Sequence, residues 1–186
     1  MVKRKSCIFI SGSGTNLKAL IKSSKNYNFP IDISFVITNN KNANGLQFAK
    51  LHKIPFKTFN LNNYREKEKA LNQLRKKKIK LICLAGYMKI LPKDFIQKFN
   101  GKIINIHPSL LPKFKGLNTF SKAIKSKEKF TGCTVHYVDE KLDSGKIIIK
   151  RKIPINDKDN TSTLKKKVQF EEYKAYSNAI RKIFQI

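Results

Sequence analysis

Short apolar runs alternate with helical patterns along this chain, and this alternation limits its possible folds more than any other feature. Four of the runs predict strands, at residues 6–11, 31–37, 79–85 and 101–106. The first, third and fourth show too little polar alternation for a sheet with one solvated face. Because helical patterns separate the runs, we expect a parallel sheet with right-handed crossovers and helices on both faces.

Further elements complete the predicted architecture. The patterns indicate a helix after Gly45, a short strand at "IPFKTF", helices over 63–77 and near 118–127, strands at 132–138 and 145–155, and a long helix from Thr161. The turn "LDSG" at 142–145 predicts that the last two strands pair antiparallel. We therefore predict a three-layer α/β sandwich with a mostly parallel, Rossmann-like sheet, forming one domain over residues 1–186.

The net charge of +28 taken alone favours a nucleic-acid or other anionic partner. Arg occupies only five positions, however, so 35 of the 40 basic residues are Lys, and they are spread over almost every predicted helix. Arg is the better reader of phosphates and base edges. We therefore favour compositional drift with general anion attraction over a dedicated nucleic-acid surface. The run "RKKK" at 75–78 is interpreted as a solvated helix end.

The cysteines and the hydropathy indicate the setting of the protein. Cys7, Cys83 and Cys133 lie far apart within or beside apolar segments, which is typical of buried thiols rather than of a zinc site or a disulfide framework. No stretch has the length of a membrane helix, and the apolar segment "CIFI" is too short for a secretory signal. We expect a soluble, cytoplasmic protein with no bound metal.

A glycine loop, "SGSGTNL" at 11–17, lies between the first strand and the first helix. Gly12 and Gly14 allow a tight turn that presents backbone N–H groups and the positive helix end to an anion. Leu17 stands where a dinucleotide fingerprint has its third glycine, so a monophosphate is the favoured ligand. The alternative is a plain strand-to-helix turn capped by Thr15.

Polar side chains follow the strand near 101–106, in "NIHPSLLP" at 105–112. On a strand, Asn105 and His107 point to the same side. An amide can donate to a developing oxyanion while an imidazole moves a proton or stabilises the same oxygen. Asp143, in the turn before the last strand, could face this His and orient it, although turn carboxylates often only bond their own backbone.

The segment "AGYMKILP" at 85–92 follows another strand and is predicted to expose Tyr87, Met88 and Ile90. Such an apolar segment could form a slot for a flat ligand, or it could simply pack.

In combination, "SGSGTNL", "AGYMKILP", "INIHPSLLPKFKG" and "LDSG" resemble the glycinamide ribonucleotide formyltransferase family, in this order and at these spacings. The resemblance runs from about Ile8 to Tyr176. It implies a folate-dependent enzyme of purine synthesis that transfers the formyl group of 10-formyltetrahydrofolate, a cosubstrate, to the amine of glycinamide ribonucleotide. It implies small-molecule partners without membrane or specific nucleic acid, and a monomer or homodimer.

The resemblance also assigns site residues. The catalytic residues would be Asn105, His107 and Asp143. The ribonucleotide and its phosphate would contact Gly12, Gly14, Thr15, Asn16, Pro108 and Glu172. The folate would contact Arg65, Met88, Lys89, Ile90 and Leu91.

Three positions depart from the family pattern. Ser144 replaces a common second glycine, Lys146 replaces a usual proline, and Phe120 replaces a frequently polar residue. The first two could alter the loop that carries Asp143, although all three catalytic residue types remain.

Three rival functions stay open at this point. A methionyl-tRNA formyltransferase shares the donor but is expected to carry a second, tRNA-binding domain. A formyltetrahydrofolate hydrolase is expected to carry an additional amino-terminal domain. A nucleic-acid-binding α/β protein without catalysis would bind duplex in a steeply salt-dependent way.

The interpretation of the charge leads to a prediction. Neutralising Lys76, Lys77 and Lys78 together should leave turnover nearly unchanged, because these residues end a helix distant in sequence from every motif. The measurement is the formylation rate of the folded variant. A collapse in that rate would point instead to a functional basic surface.

Overall fold

A computed structural model describes residues 2–185. Its strands form a seven-stranded sheet in the order β3-β2-β1-β4-β5-β6-β7. The strands are β1 Arg4–Ile10, β2 Ile31–Thr38, β3 Phe56–Thr58, β4 Leu81–Leu84, β5 Lys102–His107, β6 Phe130–Tyr137 and β7 Ile147–Pro154. The helices are α1 Thr15–Ser24, α2 Leu46–Leu51, α3 Tyr64–Lys76, α4 Lys93–Lys98, α5 Thr119–Lys125 and α6 Thr161–Ile183. The α/β class with a mostly parallel sheet is confirmed.

The chain divides into two compact units, Met1–Ile104 and Asn105–Ile186, with the boundary inside β5. In the first unit β1 pairs in parallel with β2 and with β4, and β2 pairs in parallel with β3. The core of this unit includes the fully buried rings of Phe9, Phe35 and Phe95. The predicted parallel arrangement of these strands is confirmed, while a single domain over 1–186 stays a prediction.

Helix α3 begins and ends as its sequence indicates. The Asn63 side chain accepts a hydrogen bond from the Glu66 N–H at 3.1 Å, which caps the first turn, and Arg75 and Lys76 lie in the last turn. The charge run after it is not entirely solvated, because the Lys77 ammonium lies 5.1 Å from the centre of the Phe35 ring. Neutralising Lys77 should therefore also remove a cation–π contact.

Helix α4 was not predicted from the sequence. This helix has six residues and only Phe95 is buried, so it contains too few turns for a periodic pattern. An ion pair between Lys67 and Asp94 joins α4 to α3, and the Lys67 side chain is largely buried. That contact joins residues far apart in sequence and cannot be read from local periodicity.

In the second unit, β6 and β7 pair antiparallel, as the "LDSG" turn predicted. Helix α6 begins with a capping box: the Asn160 side chain accepts from the Thr163 N–H, and the Thr163 hydroxyl accepts from the Asn160 N–H. One face of α6 packs against β6 and β7 and buries Leu164, Val168 and Tyr176. Within residues 2–185, no helix is long and apolar enough to cross a membrane.

Gly132 of β6 provides a test of the antiparallel pair. A Cβ at this position would lie 1.8 Å from the Arg151 carbonyl oxygen of β7, so Gly132→Ala must separate the two strands. We expect a loss in the free energy of unfolding on the order of 3 kcal/mol, measured by denaturant titration. The matched control is Gly12→Ala, because a Cβ at Gly12 would meet no atom within 4 Å. Equal stability of the two variants would contradict the close packing of β6 against β7 at Gly132.

Candidate active site

The carboxyl end of β5 presents two polar side chains to one carboxylate. Ile104 and Ile106 are buried on the alternate positions of the strand, so Asn105 and His107 share the opposite face. His107 Nδ1 lies 3.3 Å from Asp143 Oδ2, and Asn105 Nδ2 lies 3.5 Å from Asp143 Oδ1. The three residues named from sequence as catalytic therefore lie together within the second unit.

The His107 ring is buried between two oxygen acceptors. Its Nε2 lies 2.9 Å from the Phe114 carbonyl oxygen, so this nitrogen carries a hydrogen and donates it. Burial lowers the pKa of His107, outweighing the Phe114 hydrogen bond and the Asp143 charge, which both act to raise it. In the neutral ring Nδ1 carries no hydrogen, so its contact with the Asp143 carboxylate becomes a hydrogen bond only when the ring gains a proton.

Asp143 is held in a left-handed turn, with φ of 47°. The Gly116 N–H donates to Asp143 Oδ2 at 2.9 Å. Burial acts to raise the pKa of Asp143, but the adjacent His136 side chain, the Gly116 N–H and the nearby imidazole of His107 outweigh it and lower the pKa. The carboxylate therefore stays charged near neutral pH.

A second histidine, His136 of β6, completes the cluster and was missed by sequence analysis. Its Nε2 lies 3.3 Å from Asn105 Nδ2 and 3.7 Å from Asp143 Oδ1. Its Nδ1 lies 2.8 Å from the Tyr137 carbonyl oxygen, so Nδ1 donates and Nε2 is the acceptor for the amide. A histidine inside the otherwise uncharged strand "GCTVHYV" was the available signal.

The two amide hydrogens of Asn105 differ in how firmly they are held. One points to His136 Nε2 at 3.3 Å, and the other points to Asp143 Oδ1 at 3.5 Å, the outer limit for a hydrogen bond. The second hydrogen is therefore the one that a developing oxyanion could take at least cost.

A network of backbone contacts shapes the turn after His107. The Ser109 hydroxyl donates to the Lys113 carbonyl at 2.6 Å. The buried Thr134 hydroxyl of β6 donates to the Ser109 carbonyl at 2.7 Å and accepts from the Leu111 N–H at 3.1 Å. These bonds fix the path on which Phe114 and Gly116 reach the cluster. Pro108, in the same turn, is half-buried.

The departures Ser144 and Lys146 are accommodated in the loop that carries Asp143. The Ser144 hydroxyl donates to the Leu142 carbonyl at 3.0 Å and accepts from Lys115 Nζ at 2.5 Å. Lys146 contributes its carbonyl to the Tyr137 N–H at 2.9 Å, a role that any residue can fill. Phe120 is half-buried on α5.

In the first unit, the glycine loop turns through Gly14, which has φ of +69° and precedes helix α1. A Cβ on Gly14 would lie 2.5 Å from the Gly45 Cα, so two glycine backbones cross here in close contact. Gly45 was missed as part of this loop. Gly14, and not Thr15, is the N-cap and makes no side-chain cap, so the predicted Thr15 cap is wrong, while the alternative of a plain strand-to-helix turn stays open. Asn16 is buried in the first turn of the helix.

The segment after β4 is exposed only in part. Met88 is 62% exposed and Ile90 is 71% exposed, and Lys89 is exposed beside them. Tyr87 was predicted to be exposed but is half-buried, with its ring edge-on to Phe9 at 5.4 Å, and burial raises its pKa to about 12. Leu91 is only 5% exposed, so its side chain belongs to the core.

Two predicted binding residues lie on helices. Arg65 is exposed in the first turn of α3 in the first unit. Glu172 is buried on α6 in the second unit. There burial, followed by the charges of Glu172 and Glu171, raises the pKa of the Cys133 thiol to about 12. Within the described residues, no group of three or more His, Cys, Asp or Glu side chains is arranged to hold a metal ion.

Known proteins are similar to this chain in sequence and fold. Residues 4–180 match the family described as formyl transferase. The chain is 41% identical to the phosphoribosylglycinamide formyltransferase of Haemophilus influenzae, covering 96% of this chain and 86% of the relative. It is 40% identical to the trifunctional purine biosynthetic protein adenosine-3 of Chironomus tentans, of which it spans only 14%. The crystal structure of phosphoribosylglycinamide formyltransferase from Anaplasma phagocytophilum superposes with a TM-score of 0.93 at 38% identity, covering 99% of this chain and 88% of that one.

The charges around His107 predict how its pKa responds to a substitution at Asp143. The Asp143 carboxylate is one of the two groups that raise the pKa of His107, so Asp143→Asn should lower that pKa further below its ordinary value. The measurement is a pH titration of the His107 ring by NMR. The control is Asp139→Asn, an exposed aspartate whose carboxylate accepts from the Lys141 N–H. An unchanged or higher pKa in Asp143→Asn would contradict the geometry.

Proposed function

Because the chain belongs to the formyl transferase family, we propose that it transfers the formyl group of 10-formyltetrahydrofolate to the amine of glycinamide ribonucleotide. The products are formylglycinamide ribonucleotide and tetrahydrofolate, in the synthesis of purines. The observation that carries the proposal is the cluster of Asn105, His107 and Asp143 at the end of β5. An amide donor beside an oriented imidazole fits acyl transfer through a tetrahedral intermediate.

The first step joins the two substrates. The amine nitrogen attacks the formyl carbon, a C–N bond forms, and the carbonyl oxygen becomes an oxyanion. We assign Asn105 as the donor to this oxygen, through the amide hydrogen on the side of Asp143, whose Oδ1 lies 3.5 Å from Asn105 Nδ2. Its bond to His136 keeps the amide plane oriented while the other hydrogen changes partner.

The second step moves a proton and breaks the bond to the donor. The attacking amine becomes positively charged and must lose a proton, and the folate nitrogen must gain one as it leaves. A His107 ring with a lowered pKa is neutral near pH 7 and can accept a proton. The charged form then stabilises the oxyanion, while Asp143 orients the ring and assists the transfer through water. No covalent enzyme intermediate and no metal are part of this proposal.

Substrate contacts complete the proposal. The phosphate would bind the backbone of the glycine loop at Gly12, Gly14, Thr15 and Asn16, with Pro108 and Glu172 serving the rest of the ribonucleotide. The folate would contact Arg65, Met88, Lys89 and Ile90, and Leu91 would support that segment from the core. Within residues 2–185, Cys7, Cys83 and Cys133 are buried and form no disulfide, which fits a reducing cytoplasm. We further propose a single catalytic domain over 1–186 that works as a monomer or homodimer.

A spectrophotometric assay tests the function. Protein is mixed with both substrates and deformylation of the folate is followed. Deformylation that requires glycinamide ribonucleotide supports the proposal. Deformylation without the ribonucleotide would identify a hydrolase, and no deformylation together with steeply salt-dependent duplex binding would favour a nucleic-acid-binding protein.

The division of labour in the cluster leads to a prediction. Asn105→Ala should lower turnover by roughly 10²–10³, the scale for removing one oxyanion donor, while ground-state binding stays mostly intact. His107→Ala should cost at least as much. If Asp143 acts by orienting His107, Asp143→Asn combined with His107→Ala should be little worse than His107→Ala alone. The measurement is kcat for the single and double variants.

Two outcomes would contradict these roles. Fully multiplicative losses in the double variant would show that Asp143 acts independently of His107. Normal turnover in any single variant would remove that residue from the catalytic cluster. The exposed Asp139→Asn, on the same β6–β7 connection, is the matched control and should retain normal turnover.

A further inference from the structure

Ser11 is the first residue after β1, and within the first unit it is hydrogen-bonded to two other loops. One loop follows β2 and contains Asn39 and Asn40. The other follows β4 and contains Gly86 and Met88. Ser11 itself opens the glycine loop. Ser11 therefore connects the loops that follow three neighbouring parallel strands, β2, β1 and β4.

Two bonds join Ser11 to the segment after β4. The Ser11 N–H donates to the Gly86 carbonyl at 3.1 Å, and the Met88 N–H donates to the Ser11 hydroxyl oxygen at 2.8 Å. The second bond places a side chain of the glycine loop directly on the backbone of Met88. The first could be made by any residue at position 11 except proline, whereas the second requires the hydroxyl.

Two further bonds join Ser11 to the loop after β2. The hydroxyl donates its only hydrogen to Asn39 Oδ1, which leaves its lone pairs for the Met88 N–H. The Asn40 side chain donates to the Ser11 carbonyl at 3.3 Å. A hydroxyl that donates and accepts at once strengthens both bonds, so losing it disconnects the Asn39 side chain and the Met88 backbone together.

The glycine loop connects Ser11 to the start of α1, and it is held by contacts with Gly45. The Gly45 N–H donates to the Gly12 carbonyl at 2.9 Å, and the Gly14 and Gly45 backbones are in direct contact. At Gly14 little space therefore remains for the loop backbone to move away from Gly45. A shift at Met88 that pulls on Ser11 is therefore passed to the N–H groups at Gly14.

We propose that Ser11 is a positioning residue that couples the two substrate sites, so that occupation of the segment at Met88 tightens binding at the glycine loop, and the reverse. This inference rests on the proposed function, in which the folate uses the first site and the ribonucleotide phosphate the second. A ligand that orders the segment at Met88 also orders the glycine loop, because Ser11 is bonded to both. The second ligand then loses less conformational entropy when it binds. The coupling is reciprocal by thermodynamic necessity.

Calorimetric titration tests the coupling. Glycinamide ribonucleotide is titrated into the full chain with and without saturating tetrahydrofolate, which carries no formyl group and permits no turnover. For the unaltered chain we expect tetrahydrofolate to tighten ribonucleotide binding by about 5-fold or more. In Ser11→Ala this factor should fall to less than about 2-fold, and Ser11→Thr, which keeps a hydroxyl, should restore it.

The matched control is Ser34→Ala. Ser34 is a half-buried serine of β2 in the same unit, and its hydroxyl donates to an Asp32 carboxylate oxygen at 2.8 Å. This control should keep the full coupling. If Ser11→Ala fails to fold, Asn39→Ala serves instead, because it removes the acceptor of the Ser11 hydroxyl and should also lower the coupling. Full coupling in the folded variant, or none in the unaltered chain, would overturn the proposal.

A separate variant distinguishes failure of the coupling from failure of the site assignment. Gly14→Ala places a Cβ against Gly45 at a positive φ, so it should weaken ribonucleotide binding with little effect on tetrahydrofolate binding alone. If Gly14→Ala weakens ribonucleotide binding in this way, the phosphate site is supported. The coupling measured in Ser11→Ala then tests the role of Ser11 alone. If ribonucleotide binding is unchanged in Gly14→Ala, the phosphate site is misassigned and the coupling proposal falls with it.

Discussion

The buried charge of Asp143 is the constraint on which the second unit depends. A carboxylate in this position needs polar neighbours, and they come from three segments: Asn105 and His107 from β5, Gly116 from the turn, and His136 from β6. Because the partners are distant in sequence, the carboxylate fixes where the segments lie relative to one another. The left-handed backbone at Asp143 is the local strain that this arrangement carries.

The same contacts set the protonation states that the proposed chemistry needs. The pKa of Asp143 and the pKa of His107 are both lowered, so the carboxylate is charged and the ring is neutral near pH 7. A proton that arrives on the ring converts the contact between a neutral imidazole and the Asp143 carboxylate into an ion pair. Proton transfer to His107 is therefore favoured, and the positive ring that results also stabilises the oxyanion.

The sequence was sufficient for the parallel strands and the antiparallel pair, because period and turn chemistry are local signals, and for the meeting of Asn105, His107 and Asp143 through the resemblance of its motifs to a family. It was insufficient for α4, which is too short to show a period and depends on the pair Lys67 and Asp94. His136 and Gly45 were missed for a related reason. Each acquires its role from a partner across the fold, Asn105 in one case and Gly14 in the other.

The high charge has a structural counterpart in the way that lysines cover phenylalanines. Phe130 is 42% exposed and Phe170 is 60% exposed, and the ammonium groups of Lys152 and Lys174 lie 3.6 and 4.1 Å from their ring centres. A lysine stem over an exposed ring removes apolar surface from water and leaves the charge solvated. A chain rich in both lysine and phenylalanine can therefore expose rings without exposing large apolar patches. The lysines in these contacts act on their own rings, which requires no anionic partner.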